Sequence, residues 1–162
     1  MSLDSVHHVG PPRLKEGPAG GYPHSREWRS ELLAEADGEA LIELAERCLA
    51  DGETRLAGEP VVGMVPICVR EPVVGERFLL VDVLVTQAEV DHRCERGWAM
   101  RLGDDKAATV AAAICDAEAA GGFGLTGEID ALCQATEHAL TQREATEWAE
   151  LLPTEVRFEE LD

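Results

Sequence analysis

The spacing of apolar residues in the first third of the chain predicts two amphipathic helices. Apolar side chains recur at intervals of three and four positions between residues 26 and 50, which places them on one face of a helix. Ser25 is positioned to cap the first helix, and Gly52 follows the second closely enough to end it. We therefore expect an α-hairpin at the start of the folded region.

The next part of the chain is rich in β-branched residues, which favours strands. One strand is expected over residues 61–70, a longer one ends near Val90, and the segment WAMRL supplies a third. Pro66 has no N–H for a sheet ladder, so it is expected at an edge or a bulge. The connection DHRCERG is interpreted as a hairpin turn in which Gly97 is free to take positive φ.

The pentapeptide EPVVG occurs twice, at residues 59–63 and 71–75. Its proline restricts φ to about −65°, and its glycine can close a turn at positive φ. The segments that follow the two copies, MVPICVR and ERFLLVD, share no pattern. The repeat therefore predicts two turn boundaries rather than a duplicated functional unit.

Two more helices are predicted after residue 103. Asp104 is positioned to cap an alanine-rich helix that Gly121 and Gly122 close, and its small side chains predict close packing on the sheet. A second helix, residues 128–152, has apolar anchors from Ile129 to its end. The segment EVRFEEL then adds a short terminal strand.

The element order ααβββααβ predicts an α+β fold, with an antiparallel sheet of three to four strands and helices packed on one face. Residues 1–25 are rich in proline and glycine and are expected to be a flexible N-terminal arm, so that residues 26–162 form a single domain. No apolar run reaches the length of a membrane span or a signal peptide, and a cytoplasmic location is expected.

The charge of the chain excludes two classes of partner. Thirty-two acidic residues against fourteen lysines and arginines give a formal net charge of −18, which repels nucleic acid and anionic membranes. Two explanations remain open: adaptation to high salt, or docking on a basic partner. The five cysteines include no C-x-x-C pair, which indicates reduced thiols and no iron–sulfur cluster.

Two short segments offer candidate chemistry. DHRCER contains His92 and Cys94, which are weak candidates for metal ligands, but a solvated turn is the preferred interpretation of the segment. LGDDK enters a helix whose first turn could hold an anion with the help of Lys106, but the aspartates themselves can cap that helix. The residues alone therefore indicate no self-sufficient active site, and leave a small-anion-binding protein or a metal-dependent enzyme as alternative functions.

A series of residues from position 63 onward follows the order of a known motif. The positions are Gly63, Val65, Arg70, Gly75, Phe78, Leu80, Asp82, Val85, Thr86, Val90, Gly97, Gly103, Asp105 and Lys106. Their order resembles the G subunit of the bacterial carbon–phosphorus lyase complex, the PhnG family. Trp28 in the first helix and a closing Thr154, Val156 and Phe158 extend the resemblance over most of the chain after residue 25.

The resemblance implies a non-catalytic or accessory subunit that works with the H, I, J and L subunits of that complex. With the I, H and L subunits it forms a multi-subunit transferase in which an alkylphosphonate displaces adenine from ATP, giving ribose 1-alkylphosphonate 5-triphosphate. ATP is then a substrate of the complex, the iron–sulfur cluster belongs to another subunit, and this chain is expected to bind no cofactor. Self-association is left open for the chain without its partners.

No catalytic residue is predicted, but six residues are candidate contacts with a partner or with phosphate. They are Arg70, Gly75, Arg77, Gly103, Asp105 and Lys106. The family's G-G-T-G loop stands here as Pro72-Val73-Val74-Gly75, and two family arginines are replaced by Gln87 and Asp104. The resemblance therefore predicts a divergent member of the family.

Overall fold

A computed structural model describes residues 24–152, which form an α+β fold with four helices and an antiparallel four-stranded sheet. The helices are α1 (Arg26–Glu35), α2 (Gly38–Ala50), α3 (Lys106–Ala120) and α4 (Thr126–Leu151). The strands are β1 (Thr54–Leu56), β2 (Val61–Arg70), β3 (Arg77–His92) and β4 (Glu95–Leu102). The fold class is as the sequence predicts. The N-terminal arm lies almost wholly outside the described residues, as does the EVRFEEL strand.

Side-chain caps explain where the first three helices begin. Ser25 Oγ accepts a hydrogen bond from the backbone N–H of Trp28, as the sequence predicts, and Asp37 caps α2 in the same way. The prediction for α3 was wrong by one residue. Asp105, not Asp104, is the cap, and its carboxylate accepts from the backbone N–H of Ala108 at 2.9 Å.

β3 is the central strand of the sheet. It pairs with β4 over residues 85–92, and the same part of β3 also pairs with β1 and with the start of β2. A strand has only two edges, so β1 and β2 share one edge of β3 and β4 occupies the other. The short β1 was not predicted, because three residues are too few to show an alternating pattern.

The hairpin between β3 and β4 forms as predicted, but Gly97 is not its turn residue. Arg93 and Cys94 occupy the turn, with φ of 51° and 67°. Gly97 lies inside β4, where an added Cβ would be 2.0 Å from the carbonyl oxygen of Ala113 in α3. The glycine is therefore required by the close approach of helix and strand, not by a turn.

The core lies between α3 and one face of the sheet. α3 packs on β3 and β4, and α1 and α2 each pack on α3. The alanines of α3 are buried almost throughout, which is the close packing that its small residues predict. α4 buries Ile129, Cys133 and Thr136, but the anchors predicted at Leu151 and Leu152 are exposed. Its C-terminal part extends past the elements on which its first turns pack.

β2 and the first half of β3 project beyond the rest of the sheet as a two-stranded ribbon, residues 64–84. β4 ends at Leu102, opposite Val85, so within residues 24–152 no strand lies beside the outer edge of the ribbon's β3 segment. At roughly 3.3 Å per residue, the ribbon extends about 25 Å beyond β4. Pro66 lies in this edge strand, one residue before a bulge, as its missing N–H predicts.

Candidate functional site

The ribbon is apolar and exposed on both faces. None of its residues is buried, and ten of its large side chains are apolar and exposed, which identifies a surface for interaction rather than a core. The exposed fractions run from 37% to 59% along the strands and reach 88% at Val73 in the turn. The ten residues are Met64, Val65, Ile67, Val73, Val74, Phe78, Leu79, Leu80, Val81 and Leu84.

The apolar surface continues onto the sheet face that the helices leave open. β4 buries Gly97 and Ala99 on the helix side, so its alternate residues point away from the helices. Leu102, one of these residues, pairs with Val85 at the base of the ribbon and joins the two surfaces. The large exposed residues of β4 are Trp98, Met100 and Leu102.

The second EPVVG forms the turn at the tip of the ribbon. The carboxylate of Glu71 accepts hydrogen bonds from the backbone N–H groups of Val73, Val74 and Gly75, the first at 2.8 Å and the third at 2.7 Å. The N–H of Val73, together with those of Val74 and Gly75, holds the pKa of Glu71 below its usual range. Gly75 has φ of 79°, as predicted.

The first EPVVG has a different structure, so the prediction that its glycine also closes a turn was wrong. Gly63 lies within β2 and pairs with Val85. The same five residues form a turn only where the chain reverses, because hydrogen-bonded pairing with β3 determines the conformation of the first copy.

Arg70 and Arg77 come together at the tip, because they are direct cross-strand partners in the register of β2 and β3. Both are exposed, and no hydrogen bond or salt bridge to either side chain occurs among residues 24–152. Like charges opposite each other in a ladder destabilise a strand pair. Three of the six candidate residues, Arg70, Gly75 and Arg77, therefore form one group at the end of the ribbon.

The other three candidates lie at the base of the ribbon. Gly103 has φ of 91°, and its N–H donates to the carbonyl oxygen of Leu84 at 2.9 Å, which ends the ladder and turns the chain into α3. Asp105 fills the first turn of α3 with its own carboxylate. Lys106 lines an apolar groove of about 470 Å³ between α2 and α3, together with Leu49, Pro60 and Val110. The carboxylate of Asp105 therefore occupies the position at the start of α3 that a bound anion would take.

His92 and Cys94 have separate surroundings. His92 is fully buried, with Nδ1 hydrogen-bonded to Thr54 Oγ1 at 2.6 Å and Nε2 hydrogen-bonded to Glu118 Oε2 at 2.9 Å. Cys94 is exposed in the turn. Since both ring nitrogens are occupied, His92 has no atom left for a metal ion. Residues 24–152 contain no group of three or more His, Cys, Asp or Glu side chains that could hold one.

Two buried carboxylates in α3, those of Asp116 and Glu118, were not predicted from the sequence. In addition to its hydrogen bond with His92, Glu118 accepts a hydrogen bond from the backbone N–H of Leu125 at 3.0 Å. Asp116 accepts from Arg26 at 2.7 Å and from the backbone N–H of Trp98 at 3.0 Å. The available signal was the position of two acids within an otherwise small and apolar helix. These networks join α3 to β3, β4, α1 and the loop before α4, so their role is structural.

The cysteines fall into two groups. Cys48, Cys115 and Cys133 are buried, whereas Cys68 in the ribbon and Cys94 in the turn are exposed. Burial, together with the charge of Asp130, raises the pKa of Cys133 to about 12. Only the two exposed thiols are therefore suited to chemical labelling.

Within residues 24–152, no helix has both the length and the apolarity needed to cross a bilayer. A comparison with curated proteins found no match. Residues 24–161 match the sequence profile of a family described as "Phosphonate metabolism protein PhnG". The match covers nearly the whole chain, including both ends of the ribbon and all six candidate residues. The chain therefore belongs to the PhnG family and has a role in phosphonate metabolism.

Proposed function

We propose that this protein is a non-catalytic subunit of the carbon–phosphorus lyase core complex, in which it supports the formation of ribose 1-alkylphosphonate 5-triphosphate from ATP and an alkylphosphonate. Its partners are the H, I, J and L subunits. The observation that supports an assembled state is the ribbon, because ten large apolar side chains exposed on one projection are suited to burial against another protein.

The polar groups of the described residues support a non-catalytic role. The buried ionisable groups His92, Asp116 and Glu118 are saturated by hydrogen bonds within the fold. In this proposal ATP and the phosphonate bind to the assembly, the iron–sulfur cluster belongs to another subunit, and this chain binds no cofactor.

The two alternative functions have less support. An anion at the start of α3 would compete with the carboxylate of Asp105, which already accepts the N–H of Ala108. A metal-dependent reaction at His92 and Cys94 would require His92 to release Thr54 or Glu118.

Co-expression of the tagged chain with the H, I, J and L subunits tests the proposal. We expect a complex of constant stoichiometry, and we expect adenine release from ATP and methylphosphonate to fall when this chain is left out. Recovery of the chain alone at both low and molar salt would refute the subunit assignment.

A matched variant tests the non-catalytic part of the proposal. Cys94 is an exposed thiol that lies at the opposite end of β3 from the ribbon. Cys94→Ser should leave both assembly and adenine release unchanged. Loss of adenine release from an intact complex that contains this variant would assign chemistry to this chain.

A further inference from the structure

The ribbon lacks the packing that normally keeps two strands ordered. An isolated two-stranded hairpin is marginally stable in water, and stable sheets add a third strand or cover one face with a helix. The ribbon has neither, since β4 ends opposite Val85 and none of the residues 64–84 is buried. Its apolar side chains therefore need a covering surface that residues 24–152 do not supply.

The outer edge of β2 is unsuited to receiving a strand from another protein. Gly103 N–H donates to the carbonyl oxygen of Leu84, so the backbone polar groups of Leu84 point toward the β4 side. Because the direction of the backbone N–H and C=O groups alternates along β3, those of Asp82 point the same way as those of Leu84, away from β2. Asp82 pairs with Pro66, so the N–H that proline lacks would have pointed out of the open edge of β2.

The open edge of the β3 segment is interrupted as well. Ile67 pairs with Val81 and Cys68 pairs with Leu79, which leaves Leu80 as an extra residue in a bulge. A bulge breaks the even spacing of N–H and C=O groups that an added strand must match. With a proline on one edge and a bulge on the other, the ribbon offers its two faces for binding rather than its edges.

A second copy of this chain is a poor occupant for these faces. Each copy has a formal charge of −18, so two copies repel each other as they approach. Acidic residues outnumber the one lysine, Lys106, at the base of the ribbon. Glu59 precedes β2, and Asp104 and Asp105 follow the Gly103 that bonds to Leu84. A partner that buries the ribbon up to its base therefore meets negative charge there.

We propose that the ribbon inserts into an apolar cleft of a different protein subunit, that it is held there by its two faces, and that basic side chains line the rim of the cleft opposite Glu59 and Asp104. This inference rests on the proposed function for the existence of the assembly. The ribbon supplies roughly 20 residues, which is the contribution of one partner to an interface of standard size.

Charged substitutions on one face of the ribbon test this mode of binding. Ile67 and Val81 are cross-strand partners with 38% and 46% of their surfaces exposed. Ile67→Asp and Val81→Asp should each weaken co-purification with the partner subunit roughly 30-fold or more. Neither variant should change the unfolding transition of the free chain. Leu152→Asp is the matched control, because Leu152 is 48% exposed but is the C-cap of α4, outside the ribbon, and this variant should bind as the native chain does.

Thiol labelling provides an independent readout with an internal control. A maleimide should modify both Cys68 and Cys94 in the free chain. In the complex, Cys68 should be protected at least tenfold while Cys94 keeps its rate, since only Cys68 lies in the ribbon. Equal labelling of Cys68 in the free chain and in the complex would overturn the proposal.

Charge reversal tests the basic rim. Glu59→Lys and Asp104→Lys should weaken binding at low salt, and the difference from the native chain should shrink at molar salt. Tighter binding of both variants at low salt would overturn the assignment of a basic rim.

The outcomes separate this inference from the proposed function. If the native chain binds its partners and Val81→Asp binds equally well, the inference fails and the proposed function stands. If the native chain binds none of the four subunits, both fail. A dimer of the free chain at low salt, with Cys68 protected, would show that a second copy occupies the ribbon.

Discussion

The two halves of β3 have opposite surroundings, and the exposed half is the more apolar one: six of residues 77–84 are apolar, against three of residues 85–92. Near its end, Val90 and His92 are fully buried beneath α3. Near its start, Phe78 and Leu79 leave 48% and 57% of their surfaces exposed. The body of the molecule, which comprises all described residues outside the ribbon, satisfies its own buried groups. The ribbon does not, and this difference shows that a strongly apolar strand segment need not lie in the core.

The largest expected loss of stability in the body comes from Glu118→Ala. It removes the acceptor for His92 Nε2 and for the N–H of Leu125, both in a buried setting. We expect the free energy of unfolding to fall by about 3 kcal/mol, measured by urea denaturation. Glu144→Ala, on the exposed part of α4, is the control and should change it by less than about 0.5 kcal/mol. Similar values for the two variants would contradict a structural role for the buried network.

Glycine substitutions compare a tightly packed strand of the body with the strand that leads into the ribbon. Gly97→Ala places a Cβ 2.0 Å from the carbonyl oxygen of Ala113, so β4 and α3 must move apart. We expect a loss of about 2 kcal/mol from overpacking, measured as a lower midpoint in urea. Gly63→Ala, in β2, meets no atom within 4 Å and should be nearly neutral. An unchanged urea midpoint for Gly97→Ala would show that α3 and β4 do not pack closely enough for the added Cβ to clash.

A smaller effect is expected from Arg101→Ala. The guanidinium of Arg101 donates to the carbonyl oxygens of Leu33 and Ala36, at the C-terminal end of α1, and burial lowers its pKa. Losing both hydrogen bonds should lower the free energy of unfolding by about 1 kcal/mol in urea. Arg55→Ala, an exposed arginine of β1, is the control and should have little effect. Equal losses of stability in the two variants would attribute the effect to the removed positive charge rather than to these hydrogen bonds.

The smallest effect concerns the tip of the ribbon. Because the backbone N–H groups lower the pKa of Glu71, they stabilise the turn when this carboxyl is ionised. That stabilisation is present above the ordinary glutamate pKa and is lost as the pH falls through the lowered value. The amide NMR shifts of Val73, Val74 and Gly75 should report this titration while the body stays folded. If the amide shifts titrate in the same way in Glu71→Gln, a group other than Glu71 is responsible for the titration.

Much of the fold could be predicted from the sequence, because local patterns determine it. Apolar spacing identified α1 and α2, β-branched runs identified β2 and β3, and Ser25 marked the start of α1 at the correct residue. The motif order also led to the PhnG family. The candidate residues at the tip and at the base of the ribbon stay predictions, because the contacts predicted for them are with another molecule, a partner or a phosphate.

Tertiary structure alone decided which apolar residues form the core. The sequence did not distinguish the buried Val90 from the exposed Leu79, since both lie in one continuous strand. Val90 is flanked by β1 and β4 in a part of β3 on which α3 packs, whereas Leu79 pairs only with β2. The sequence likewise indicated a turn role for Gly97 that the approach of Ala113 overrules. Local propensity acts over a few residues, whereas burial depends on which distant elements arrive. The sequence therefore determined the elements and the family, and packing determined which surface remains open.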